Sequence, residues 1–385
     1  MRAGDVRGML LRNLYISIAI VMTLLWWSPR LSSAQELGSS LYLRSDTDGT
    51  TVVSPRLRVA AQASSETRLD ASYTVDVWSS ASIDIRSAAT KRIYEQRDEV
   101  DFAGSHIIDS STVSASYRYS KENDYESHGG TLSLSQDFAD KATNLLLSLS
   151  GIFDTVGRSG DTAFAQPLST LGARAAFTQI LDPEMLVQIS YDIFLLNGFQ
   201  ESPYRKVRLL DSSVPECVPP TDPQTLKATD KNGCRIYENV PDSRLRHALS
   251  IQARRSLASD LSIGLGYRYY LDDWSLSSHT LEARIAYLPA EETTFTLRYR
   301  FYMQGAASFY KPYYMDDTSY RTNDRELSSL MSHRVALDAQ REFSVGPLTV
   351  HGALSAGITH YDYAEFPGLS TVQALELTTA LSSEF

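Results

Sequence analysis

Through most of the chain, apolar and polar residues alternate one for one. Leu261, Ile263, Leu265, Tyr267, Tyr269 and Leu271 are separated by Ser262, Gly264, Gly266, Arg268 and Tyr270. Phe295, Leu297, Tyr299 and Phe301 alternate with Thr294, Thr296, Arg298 and Arg300, and the same rhythm runs through residues 113–120, 145–153 and 69–77. A period of two marks strands with one apolar and one polar face. No stretch downstream of residue 34 shows comparable helical spacing, and Gly and Pro gather in the joints, where turns need them.

This reading places strands near 37–45, 51–62, 67–80, 93–104, 110–120, 127–138, 143–155, 166–180, 185–197, 243–256, 260–272, 275–288, 293–305, 326–342, 347–361 and 371–385, about 16 in all. The alternation persists for about ten residues per segment, the length a tilted strand needs to cross a bilayer, whereas strands of soluble sheets average about five or six. Backbone polar groups in lipid must all be paired, so such a sheet has to close. The expected fold is all-β, a closed antiparallel transmembrane β-barrel. Its apolar face meets lipid, and its polar face lines a lumen.

The connections support that number. Those at 63–66, 105–109, 139–142, 181–184, 257–259, 289–292 and 343–346 are short and fall on one side, while 81–92, 198–242 and 306–325 are long and fall on the other. Short periplasmic turns and longer extracellular loops are the habit of bacterial barrels. Dropping either weak strand (37–45 or 93–104) breaks this parity; dropping both leaves 14.

The first residues differ from the rest. Arg2, Arg7 and Arg12 precede a charge-free run, YISIAIVMTLLWW at 15–27, and then Leu31-Ser32-Ser33-Ala34. A basic start, a short apolar core and small residues before a cleavage point predict a secretory signal peptide over 1–34 and a barrel domain over 35–385. The apolar run is shorter than the roughly 20 residues of a helical span. The net charge of −10 argues against nucleic acid as a partner. At the other end Leu375, Leu377, Leu381 and Phe385 share a face. A terminal aromatic closing an amphipathic strand resembles the signal read by the barrel-assembly machinery of Gram-negative bacteria, which makes Phe385 the candidate assembly signal. Outer-membrane lipid and that machinery are the expected partners, and the outer membrane the expected location.

Candidate chemistry is sparse. Cys217 and Cys234, the only two cysteines, both fall in the 198–242 loop. Oxidising conditions outside the cytoplasm predict a disulfide there, worth about 3 kcal/mol in the chain-entropy account. A sequence separation of 17 and no nearby His argue against a redox-active or metal-binding pair. The seven His form no metal-ligand spacing. His279 sits beside Ser278, but neighbours on a strand point to opposite faces, which spoils a Ser–His couple. No catalytic group, metal or cofactor is therefore expected, and the chain reads as a non-enzyme. Ser45-Asp46-Thr47-Asp48-Gly49 reads as an Asp-Gly hairpin turn, since it lacks the remainder of a calcium loop. Three sites repeat an aromatic–Arg–aromatic pattern, at 117–119, 267–269 and 299–301. It predicts Arg118, Arg268 and Arg300 in the lumen near the outer ends of outward-running strands, with Asp192 at a similar level. Arg58, Asp70, Asp76, Arg254, Glu282, Arg284, Arg298, Arg334 and Asp338 are also expected to face inward. Such a lumen could select a polar solute, as charged rings do in other pores, or could simply brace the wall with ion pairs.

These residues carry a resemblance. Blocks at 71–82 (ASYTVDVWSSAS), 134–138 (LSQDF), 197–211 (NGFQESPYRKVRLLD), 268–280 (RYYLDDWSLSSHT), 296–310 (TLRYRFYMQGAASFY) and 323–333 (NDRELSSLMSH) make the chain resemble a family of Gram-negative outer-membrane barrels known as a conserved domain of unknown function. Ser80 stands where the family pattern has Gly. The resemblance implies the outer membrane but supplies no substrate and no catalytic residues. Association of such members with thioredoxin-like and flavin-transferring periplasmic proteins implies possible periplasmic redox partners. The function expected is a porin-like passive channel for small polar solutes; the alternative is a non-conducting scaffold or assembly protein of the envelope.

Overall fold

The computed structural model describes residues 35–80, 93–210, 217, 234–346, 348–364, 366 and 369–384. The leader, the 81–92 connection, most of 211–233 and Phe385 lie outside the described residues. Strands β1 (Gln35–Asp46), β2 (Thr50–Gln62), β3 (Thr67–Ser80), β4 (Ile93–Ile108), β5 (Ser111–Lys121), β6 (Tyr125–Phe138), β7 (Thr143–Arg158), β8 (Asp161–Asp182) and β9 (Met185–Gly198) form the first part. Two short strands follow, β10 (Lys206–Leu209) and β11 (Cys234–Tyr237). Then come β12 (Ser243–Ala258), β13 (Leu261–Asp272), β14 (Ser277–Ala290), β15 (Thr293–Gln304), β16 (Leu330–Val345), β17 (Leu348–Tyr363) and β18 (Thr371–Glu384). All but β10 and β11 join one closed antiparallel barrel of 16 strands, sealed where β1 pairs with β18 from Glu36↔Glu384 to Asp46↔Ala374. The closure leaves no free sheet edge, as lipid requires.

The alternation read in the sequence becomes two surfaces. Leu132, Leu149, Leu265 and Leu375 are each more than 60% exposed on the outer face, which is unfavourable in water and expected against hydrocarbon. The residues between them face the lumen. Toward the extracellular end the outer face carries a repeated cross-strand pair: Tyr117–His128, Tyr191–His247, Tyr267–His279 and Tyr299–His333 each bring a phenol oxygen 2.7–2.8 Å from an imidazole Nδ1. In three of them a second aromatic, Tyr119, Tyr269 or Phe301, lies directly opposite the histidine, with ring centroids about 5 Å apart. On β3 and β4, Tyr73 and Asp98 make a similar contact at 2.5 Å. Rings with a polar tip suit the headgroup level, and the belt marks the outer interface.

The strands run longer than expected, to 22 residues in β8, so they project beyond the membrane. The periplasmic turns are tight, and Asp109 and Asp140 adopt the left-handed conformation that Asp tolerates. The Asp-Gly turn between β1 and β2 is present, with Gly49 N–H donating to Asp46 O and the Asp46 carboxylate accepting from Thr50 N. One boundary needs correction. The strand expected to begin at 326 begins at Leu330, because Arg325–Leu327 forms a 3-10 turn capped by the Asp324 carboxylate. The Gln304 amide donates to Glu326 O and Ser328 O and holds that turn inside the barrel mouth.

Candidate functional site

Lumen-facing positions carry charge over most of the barrel height, and the two walls differ. On β1–β5 most of the cations are matched by carboxylates, while Arg56 donates to the Ser72 hydroxyl at 2.9 Å. Arg58 pairs with Glu36 (3.0 Å) and Asp70, Arg68 with Glu36 (2.7 Å) and Asp70 (3.2 Å), Arg97 with Asp76, and Arg118 with Asp101 (2.7 Å). On β12–β16 arginines outnumber acids. Arg298 pairs with Asp338 (2.6 Å), Arg300 with Glu282 (3.6 Å) and Arg334 with Glu376 on β18 (2.7 Å). Arg254 and Arg284 make no ion pair among the described residues. The side chains of Arg118, Arg298 and Arg300 are 60%, 43% and 49% exposed although they point inward, so the lumen around them has room for solvent.

The four residues singled out by sequence all face the lumen without forming one ring. Arg268 and Arg300 lie on the same wall, one register row apart, Arg268 opposite Thr280 and Arg300 opposite Glu282. Arg118 sits on β5, six strand steps around the barrel from β13. Asp192 is buried and lies 3.5 Å from Arg174. Arg268 has no carboxylate partner among the described residues and approaches the Tyr270 ring at 6.0 Å.

Sequence reasoning found in the long outer loops only their lengths and a disulfide; the structure shows a packed cap. Strand β10 pairs with β11, and the 305–329 connection docks against both: Leu210 N donates to Tyr314 O, Tyr314 N to Arg208 O, and Asn239 and Arg321 exchange backbone bonds. Val207, Leu210 and Tyr314 are almost fully buried. The Tyr314 hydroxyl donates to backbone carbonyls and accepts from Thr322 N at 2.7 Å; burial pushes its pKa up to about 12. Glu238 is the polar centre. Its carboxylate accepts from Ser202 N (2.5 Å), Thr322 Oγ1 (2.8 Å) and Arg205 (3.3 Å), and Arg205 also reaches Asp324 (3.0 Å). Burial holds Glu238 above the usual carboxylate range despite Arg205. Cys217 and Cys234 are disulfide-bonded with Cα atoms 4.6 Å apart, tying the loop to the first residue of β11.

Struts fasten the cap to neighbouring hairpins. Tyr204 donates to Asp124 in the β5–β6 turn, and Arg325 pairs with Asp48 in the β1–β2 turn at 2.6 Å. Its roots use lumen-facing positions. Arg244 pairs with Asp272 at 2.5 Å and stacks over Trp274, while the second oxygen of Asp272 accepts from Trp274 N and Leu276 N. Leu330, Tyr363, Phe366 and Val372 form an apolar cluster at the opposite root. Inward roots carry the loops over the mouth. A sequence signal existed in the run of Tyr, Asp and Arg at 310–325, but nothing in it names Glu238 as partner.

Among solved structures, a bacterial polysaccharide outer membrane secretin is similar at TM-score 0.50 and 8% identity, covering 92% of this chain and 98% of that one. A variant of the ferric enterobactin receptor of Pseudomonas aeruginosa aligns at TM-score 0.45 and 10% identity, over 87% of this chain; the chain spans about half of the receptor, 54%. CdiB from Acinetobacter baumannii aligns at TM-score 0.47 and 8% identity, over 90% of this chain and 60% of that one. Identities this low speak to the fold alone. No curated protein sequence matches. Residues 86–170 and 166–350 match the family described as "Protein of unknown function (DUF3570)", a region that contains every block of the resemblance except 71–82. The protein is an outer-membrane, multi-pass β-barrel, and it belongs to the DUF3570 family.

Proposed function

We propose that this barrel is a passive, porin-like channel for small polar solutes whose outer mouth is narrowed by the cap. The observation that carries the reading is the half-exposed state of inward-pointing Arg118, Arg298 and Arg300, which calls for water inside the wall. At this strand number a barrel has width for an aqueous path. Ion pairs alone could brace the wall, but bracing needs no solvent beside the guanidinium groups.

The test is conductance of the purified protein in planar bilayers. Discrete channel events are expected, with larger conductance after deletion of residues 212–236. No events from either protein would overturn the reading. That outcome would favour a non-conducting envelope scaffold, the use suggested by a cap fixed through buried pairs such as Arg325–Asp48. In that second reading the rim would bind periplasmic redox partners, and partner capture would be lost with rim substitutions that spare the barrel. Neither reading gives any residue a catalytic role.

A further inference from the structure

On β12–β15 two adjacent register rows bring cations together at mid-height of the wall. One row runs Arg254, Gly264, Arg284, Arg298; the next runs Gln252, Gly266, Glu282, Arg300 and continues to Arg334 on β16. Together they line a cavity of about 100 Å³ open to the lumen. The space is enough for the anionic group of a small solute, since about 10–15 Å³ of such volume already holds a water.

Three features separate this cavity from an ordinary braced wall. Arg298, Arg300 and Arg334 have carboxylate partners, but Arg254 and Arg284, which face each other across Gly264, have none among the described residues. Like charges this close repel, so the cluster is costly unless an anion joins it. The Nε of Arg298 is buried without a hydrogen-bond partner, and an orphaned guanidinium donor of that kind costs stability until something accepts from it. Glycine also makes the room. A Cβ on Gly264 would stand 2.8 Å from Arg284 Cγ, and one on Gly357 would stand 3.1 Å from Arg334 Nη2. The chain keeps glycines where side chains would displace the guanidinium groups.

We propose that this cradle is a binding site for the anionic group of a small solute, a phosphate or carboxylate, held by Arg254 and Arg284 with Arg298 at its edge. Guanidinium forks match the oxygen spacing of both groups, and several forks converging on one anion gain affinity from charge-assisted bonds. The solute enters from the lumen, so the site's use in transport rests on the channel reading; the binding itself does not.

The experiment is calorimetric titration of the full-length protein, in zwitterionic detergent at low ionic strength, with inorganic phosphate and, separately, with succinate. The same titrations are run on the Arg254→Gln/Arg284→Gln double variant, on Gly264→Ala, and on Arg118→Gln from the opposite wall. Saturable binding of at least one probe by the unaltered protein is expected, weakened at least tenfold in the double variant and unchanged by Arg118→Gln. The preferred probe identifies the group. Gly264→Ala should weaken binding as well, and it keeps the proposal open to refutation if the double variant does not fold. Absence of saturable heat with both probes, or equal affinity in the folded double variant or in Gly264→Ala, would overturn the site. Binding by a protein that conducts nothing would uphold the cradle and sink the channel; conductance without probe binding would do the reverse.

Discussion

Replacing Glu238 with Ala tests whether the cap is a docked body held by its buried carboxyl group. The side chain is 2% exposed, and its removal leaves Ser202 N, Thr322 Oγ1 and one side of Arg205 without their acceptor. A buried donor left unsatisfied costs about 1–3 kcal/mol. Two features lower the total: Arg205 retains Asp324 at 3.0 Å, and the Thr322 hydroxyl can turn to another acceptor. The loss in docking free energy should therefore be about 2–3 kcal/mol. At 1.4 kcal/mol per tenfold change, the undocked population rises about 30- to 140-fold. Hydrogen exchange read by mass spectrometry reports it directly, because the amides of Leu210, Tyr314 and Arg321 are protected only by cap contacts. Peptides spanning 234–242 and 310–325 should lose protection by that factor, while peptides from β17 stay unchanged. Protection altered by less than about threefold would refute the assignment of Glu238 as the centre of docking.

Other consequences follow from the same contacts. Because Glu238 is raised by burial in the docked cap, the docked state binds more protons than the undocked one; docking should be strongest below the ordinary glutamate pKa and weaken as pH climbs through the raised value. Glu201, also raised by burial, adds in the same direction, while Arg205 and Asp324 are the charges that face Glu238. Exchange of the cap peptides, corrected for intrinsic rate, should therefore slow on acidification, and faster corrected exchange would contradict this. Tyr→Phe at positions 117, 191, 267 and 299 together should lower barrel stability by about 2–6 kcal/mol, at about 0.5–1.5 kcal/mol per hydrogen bond; urea unfolding from liposomes measures it, and an unchanged midpoint would remove the belt's energetic role. Leu149→Arg, on the lipid face, should cost about 2–4 kcal/mol in the same assay, and an unchanged midpoint would contradict its lipid-facing placement. Gly198→Ala should prevent normal closure of the β8–β9 hairpin, since Gly198 has φ +119° and an added Cβ would lie 2.2 Å from Pro167 O; a variant with the normal heat-modifiable gel shift would show that the backbone can yield there.

The barrel was legible because lipid imposes a period-two code along the spanning part of each strand. Leu265 and Leu149 are on the outer face for the same reason that Arg298 and Arg300 are on the inner one, and a one-residue slip would exchange them. The loop parity worked because turns such as Asp109–Ser110 are too short to do anything but reverse the chain. The Tyr–His belt was hidden for a different reason. Each histidine sits on the strand after its tyrosine, and which residues meet depends on register, as His247 opposite Ile193 shows. The cap was less legible still. Glu238, Thr322 and Ser202 are far apart in sequence and meet through irregular backbone that no periodicity encodes. The arginine cradle falls between the two. Its members were readable as inward-facing, but their grouping needed the hydrogen-bonded rows of β12–β16.

A nitroxide scan of residues 278–287, one cysteine at a time on a Cys217→Ser/Cys234→Ser background in lipid, compares collision with oxygen against collision with a water-soluble nickel chelate. Labels at Leu281, Ala283, Ile285 and Tyr287 should favour oxygen, and those at Thr280, Glu282, Arg284 and Ala286 the chelate, position by position. A profile with no alternation, or with the two sets interchanged, would contradict a barrel that turns its apolar side chains to lipid and its arginines to water.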